Sequence, residues 1–218
     1  HSRQRMEEFE HVCAMGKQMG VEFEMLSNSQ IKELHPFIET HDLDGGQWDP
    51  LDGDIDPAQL TQALARGAKN NGGKVVRFCP ATNAERKNDE WVISTPNGQI
   101  NCEYVVNAAG YRAAEVGLMF GRNVPCVSLA HQYLITEPIP ELEALKNKVP
   151  LIRDPDSSYY LRQEKDGLLL GPYEKNCKAH WTTKDDPMPE DFSFQLYNDD
   201  LERLEWYIED ACKRVPLL

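Results

Sequence analysis

Histidine, tyrosine and arginine gather in two stretches of this chain, His131-Gln132-Tyr133 and Tyr159-Tyr160-Leu161-Arg162. A histidine titrates near neutrality and can take or share a proton, and a tyrosine hydroxyl can hold that histidine or a bound molecule. Aromatic rings attract a cation by about 0.5–2 kcal/mol per contact. An arginine can grip a carboxylate through two parallel hydrogen bonds. The same residues have plainer uses: a strand histidine as a satisfied core or surface residue, tyrosines as packing β-formers, and Arg162 as the ion-pair partner of Glu164. A second candidate is Tyr104-Val105-Val106-Asn107-Ala108-Ala109-Gly110. A buried strand running into Ala-Ala-Gly lets a ligand approach the backbone closely, because no large side chain intervenes; a tight strand-to-helix turn is the plainer alternative.

These side chains need strands to aim them. Residues 127–136 form the most regular strand pattern, and alternation there points His131 and Tyr133 the same way. Residues 159–164 and 168–173 read as a hairpin closed at Asp166-Gly167. If Lys165 pairs with Leu168, Tyr160 lies opposite Tyr173. Tyr159 and Leu161 share one face, Tyr160 and Arg162 the other, and alternation alone leaves open which tyrosine serves a ligand. Helices are expected over 4–20, 30–34 and 113–120. Asp56-Pro57-Ala58-Gln59 is a capped helix start, followed by a small-residue face suited to packing on a sheet. Short strands are expected at 74–78 and 91–94, with a return at 100–106 after the turn at Pro96-Asn97-Gly98. A last helix opens at Asp199, with Glu202 three residues on, and presents Leu201, Leu204, Ile208 and Cys212. The fold class is mixed α/β.

The 218 residues are 40% hydrophobic and 27% charged, an ordinary globular balance, and suffice for one large domain or parts of two. A net charge of −13 argues against a nucleic-acid or anionic-membrane partner, since phosphates call for a basic footprint. No apolar run approaches the ~20 residues that span a bilayer. Six scattered cysteines read as reduced thiols. His35, His41 and the acidic stretch 39–56 match no calcium-loop or zinc spacing, so the expectation for metal is none. A bacterial cytoplasm, with the mitochondrial matrix as the alternative, is the expected location. The ends, His1 and Leu218, read as those of an internal piece of a longer protein.

Val105 to Gly110 resembles the late FAD-binding motif of the D-amino-acid-oxidase-like superfamily, and Gly53-Asp54-Ile55-Asp56-Pro57 resembles the loop by which such proteins re-enter the FAD domain. Asp156 to Glu164, Gly171-Pro172-Tyr173-Glu174 and His131-Gln132-Tyr133 together resemble the dimethylglycine and sarcosine dehydrogenase family, in the same order over nearly the whole chain. This resemblance implies a helical connecting segment (1–45), a partial FAD-binding domain (46–119) and a partial substrate-binding domain with a mixed, largely antiparallel sheet (120–218). It implies that Ala81, Ala109, Gly110 and Arg112 line FAD, although relatives often carry valine in place of Ala81 and tryptophan in place of Arg112. It favours a catalytic pair of His131 and Tyr159, with Tyr133, Tyr160 and Arg162 binding substrate.

The activity so implied is oxidative demethylation of an N-methyl amino acid such as dimethylglycine or sarcosine. Electrons would pass to an electron-transfer flavoprotein, or to oxygen as in oxidase relatives, and the one-carbon unit would leave as formaldehyde or pass to tetrahydrofolate through a region beyond residue 218. No GxGxxG follows a strand among the fourteen glycines, so the pyrophosphate-binding helix start is expected upstream and the isolated chain is expected to be flavin-free and inactive. The alternative from another class is a noncatalytic module that binds a small molecule or a protein on the same scaffold.

Overall fold

A computed structural model describes residues 1–182, 185–193 and 195–218. Along the chain come helix α1 (Arg3–Met19), strand β1 (Glu24–Leu26), helix α2 (Asn28–Leu34), β2 (Gly46–Trp48) and α3 (Pro57–Asn70). There follow β3 (Asn83–Lys87), β4 (Glu90–Thr95), β5 (Gly98–Cys102), α4 (Ala113–Met119), β6 (Ser128–Ala130) and β7 (Leu134–Ile135). The remainder is α5 (Pro140–Glu143), β8 (Ile152–Asp154), β9 (Tyr159–Glu164), β10 (Gly167–Pro172), β11 (Lys178–His180) and α6 (Glu205–Arg214). The contacts divide these into two compact units. The first comprises His1–Asp54, His131–Cys177 and Phe194–Leu218; the second comprises Ile55–Ala130 and Lys178–Ser193.

The first unit is built on an antiparallel sheet in the order β7-β10-β9-β8. Tyr159, Leu161, Leu168 and Leu170 from this sheet pack with Leu142 of α5 and with Tyr207 and Ala211 of α6 in one apolar core. Local chemistry starts the helices: Ser2 caps α1, and Ser27 and Gln30 close a reciprocal capping box on α2. Arg214, at the end of α6, is buried and binds Asp42 through two parallel bonds of 2.7 and 2.9 Å, which tie that helix to the acidic loop. The Arg214 guanidinium holds the Asp42 carboxyl below its ordinary value.

The hairpin register differs from the sequence-based expectation. Glu164 pairs with Gly167 and Tyr160 with Gly171, so the connection is Lys165-Asp166 rather than Asp166-Gly167. Lys165 supplies the left-handed conformation, with φ of 52°. Gly167 stays in the ladder because any Cβ there would meet the Thr136 hydroxyl at 2.8 Å and the Thr136 carbonyl at 3.0 Å. The expected strand 127–136 is likewise broken. Its two ends pair with different sheets, β6 with β11 and β7 with β10, and residues 131–133 bridge them outside either ladder. In the last helix the buried face is Leu204, Tyr207, Ala211 and Val215, and Leu201 is left exposed in a short 3₁₀ turn.

The second unit carries the antiparallel sheet β3-β4-β5 and the pair β6-β11. Asp56 caps α3 and Pro57 begins it, as their order predicts. The expected strand at 74–78 does not form, and β5 ends at Cys102, short of residue 106. A strand needs a neighbour to satisfy its backbone groups. Among the described residues none pairs with 74–78 or 103–106, and Val76, Phe78, Tyr104 and Val106 lie exposed. No residue of α3 is buried. No helix among the described residues is long and apolar enough to cross a membrane.

Two consequences for stability follow. Tyr159 has no solvent exposure, and its hydroxyl has no hydrogen-bond partner among the described residues. An unsatisfied buried hydroxyl costs about 1–3 kcal/mol, so Tyr159→Phe should hold or raise the urea midpoint, and a clear drop would show that the hydroxyl is bonded. His35 is also buried, and burial lowers its pKa from the ordinary 6.5 to about 4. A histidine kept neutral in the fold contributes stability that is present above 6.5 and is lost as pH falls towards about 4. His35→Gln should flatten the pH dependence of the urea midpoint across that window; an unchanged slope would refute the assignment.

Candidate active site

The alternation of β9 sorts its side chains. Tyr159 and Leu161 enter the core, while Tyr160 and Arg162 face the other way onto a cleft of about 550 Å³. That volume is in the range that accepts a small molecule. Gln47 and Trp48, the 49–54 loop, residues 149–151, Arg153 and Tyr173 complete its lining. The Tyr160 ring lies across its ladder partner Gly171, where a Cβ would sit 2.2 Å from the ring carbon Cζ. Glycine is required there so that the ring can lie against bare backbone. The Tyr160 and Tyr173 ring centres are 5.9 Å apart. Burial raises the Tyr160 phenol above its ordinary value, with Tyr173 adding to the effect.

The cleft carries cations of different availability. Arg162 is bonded to Glu164 and lies 3.7 Å from Asp54. Lys148 binds Asp54 at 2.5 Å and holds that carboxyl below its ordinary range. Arg153 pairs with Tyr160 across β8 and β9, and its guanidinium stands 5.5 Å from the centre of the Tyr173 ring. Among the described residues it forms no ion pair.

His131 Nδ1 lies 2.6 Å from Glu174 Oε2, and the imidazole meets the Tyr173 ring edge-on at 6.3 Å between centres. The rings of His131, Tyr173 and Tyr160 therefore form a continuous series. Tyr159 is outside it, in the core on the opposite face of β9, so the structure does not bring Tyr159 and His131 together as a pair. Tyr133 is exposed beyond β6 and lies near enough to Tyr160 to contribute to its raised phenol. Sequence reasoning assigned no role to Arg153, Trp48, Tyr173 or Glu174. The sequence signal for Tyr173 and Glu174 was the motif Gly171-Pro172-Tyr173-Glu174; Arg153, which pairs with Tyr160 across β8 and β9, and Trp48 carried none.

In the second unit, the Asn107 side chain bonds Ala113 O at 2.9 Å and Ala109 N at 3.3 Å, which shapes the Ala-Ala-Gly turn. Gly110 has φ of 57°, and a Cβ built on it would have nothing within 4 Å. That open backbone fits the close approach of a flat cofactor such as FAD. Ala81 is exposed, just before β3. Arg112 fits less well, because its guanidinium is already bonded to Glu115 at 3.0 Å and to the Pro189 carbonyl at 2.6 Å. Among the described residues no group of three or more histidine, cysteine or acidic side chains could hold a metal ion.

Comparison with known proteins gives this geometry a context. Mitochondrial dimethylglycine dehydrogenase of Mus musculus is 38% identical over 98% of the chain, and mitochondrial sarcosine dehydrogenase of Homo sapiens is 37% identical over all of it. The chain spans about a quarter of the length of these relatives (25% and 23%). Among solved structures, L-proline dehydrogenase of P. horikoshii shares the fold, with a TM-score of 0.77 at 22% identity, over 99% of this chain and 54% of that one. The family model described as FAD dependent oxidoreductase matches residues 1–218, and the chain belongs to that family.

Proposed function

We propose that the chain supplies the substrate-handling part of a flavoprotein that oxidatively demethylates an N-methyl amino acid such as dimethylglycine or sarcosine. The observation that carries this reading is the series of rings His131, Tyr173 and Tyr160 beside the guanidinium of Arg153, which forms no ion pair among the described residues. The substrate is a methylated amine joined to a carboxylate by one carbon, so it needs a cation-tolerant surface next to a fixed positive charge. Tyr160 and Tyr173, with Tyr133 at the margin, provide the first. Arg153 provides the second, backed by Arg162 within its ion pairs. The names of the two dehydrogenase relatives support the same substrate class.

FAD, which the backbone at Ala81, Ala109 and Gly110 would hold, would supply an acceptor for the hydride equivalent leaving the N-methyl carbon. The protein's own work is to keep the amine neutral and to orient it. His131 takes the amine proton, and the tyrosine rings hold the methyl groups while Arg153 anchors the far end. Tyr159 serves from within the core, fixing the strand that presents Tyr160. The exposed apolar segments 74–78 and 103–106 support a flavin domain completed by further strands of the parent protein. Electron-transfer flavoprotein as acceptor and tetrahydrofolate as one-carbon carrier fit the same scheme. The mitochondrial names of the relatives favour the matrix over a bacterial cytoplasm.

The test is anaerobic reduction of the flavin in the parent protein by dimethylglycine and by sarcosine. Bleaching by at least one of them is expected; a flavin that stays oxidised with both would leave the noncatalytic binding module. Arg153→Met should weaken substrate binding by roughly 10–100-fold, the worth of one charge-assisted contact. Unchanged affinity would remove Arg153 from the site.

A further inference from the structure

The carboxylate of Glu174 is almost wholly enclosed, its side chain 3% exposed, yet it lies just past the end of β10 beside a half-open histidine. Its two oxygens bind consecutive residues of one short bridge. Oε2 meets His131 Nδ1 at 2.6 Å, and Oε1 accepts the backbone N–H of Gln132 at 3.2 Å. The Gln132 side chain in turn clasps the backbone of Asp200, donating to its carbonyl and accepting from its N–H, both at 2.9 Å. The bridge between β6 and β7 belongs to no strand ladder, so these bonds give it its shape.

The direction of each bond follows from the groups present. An amide N–H can only donate, so the Gln132 contact assigns Oε1 as an acceptor. With the Glu174 carboxylate ionised both oxygens accept, which puts the hydrogen shared with the imidazole on His131 Nδ1. Nε2 then carries the lone pair, and it makes no hydrogen bond to any described residue.

We propose that Glu174 is a positioning residue that holds His131 as the Nδ1–H tautomer and so makes Nε2 the proton acceptor for the substrate amine. This rests on the reading of His131 given above. In the step itself the ammonium N–H bond breaks, its electron pair stays on nitrogen as the lone pair needed for oxidation, and the proton moves to Nε2. The imidazolium so formed stands against the buried Glu174 charge, which stabilises it.

The Gln132 N–H makes the proposal sharply testable. In Glu174→Gln that donor keeps the amide oxygen towards Gln132, because turning the side chain would set two N–H groups against each other. The amide NH2 then faces Nδ1 and selects the opposite tautomer, with hydrogen on Nε2. The experiment uses the flavin-loaded parent protein with ¹⁵N-histidine, His131→Ala serving to assign the signal. In the unaltered protein Nδ1 should give the protonated signature and Nε2 the unprotonated one, and in Glu174→Gln the two should exchange. Flavin reduction by dimethylglycine in that variant should slow by roughly 10²–10⁴-fold, the scale of a lost general base or a wrong tautomer, with substrate affinity unchanged and flavin absorbance reporting an intact fold. An unprotonated Nδ1 in the unaltered protein overturns the proposal without any variant. So does a Glu174→Gln protein that reduces flavin normally while His131→Ala is slow. If His131→Ala itself reduces flavin at full rate, the underlying reading of the site fails instead, and the proposal with it.

Discussion

One strand sends neighbouring tyrosines into opposite worlds, and the rest of the first unit depends on that division. Because β9 alternates, Tyr159 belongs to the core with Leu161, while Tyr160 belongs to the cleft with Arg162. The ladder with β10 converts this into a definite geometry. Its register puts Gly171 under the Tyr160 ring and Leu170 against the core. A slip of one residue would exchange the two faces, burying an arginine and exposing leucines. Packing against α5 and α6 forbids that slip, so the energy of the apolar core is what holds the cleft side chains in place.

The division also separates two kinds of arginine. Arg162 points into the cleft but spends its charge on Glu164 and Asp54. Arg153 reaches the same cleft from β8 and stands near the Tyr173 ring, and it forms no ion pair among the described residues. An ion pair already made on the protein must be broken before it can serve a ligand. A guanidinium resting on a ring keeps its hydrogen-bond donors free.

Much of this was legible in the sequence where the cause is local. Asp56, Pro57 and Gln59 announce α3 through capping chemistry alone, and the Tyr159–Arg162 alternation was correct. What depended on distant partners was not legible. The hairpin register is decided by crowding at Gly167 from Thr136 and by the ring over Gly171, both tertiary contacts. The run 127–136 has a continuous strand pattern, yet its halves find different sheets, so the His131 and Tyr133 alternation loses its basis. Glu174 meets His131 across 43 residues, a pairing with no periodic trace. The strand expected at 74–78, and residues 103–106 of the one expected at 100–106, have the right residues and lack neighbours among the described residues.

That last feature bears on how such a polypeptide must be made. Tyr104-Val105-Val106 is an exposed, uncharged and proline-free run that joins no ladder among the described residues, and such a run resembles the unpaired edges on which chains join one another. During synthesis this run is a hazard until it is covered. Selection on solubility therefore reaches these three residues through whatever shields them, and a lesion far away in the polypeptide could surface first as clumping rather than as lost catalysis.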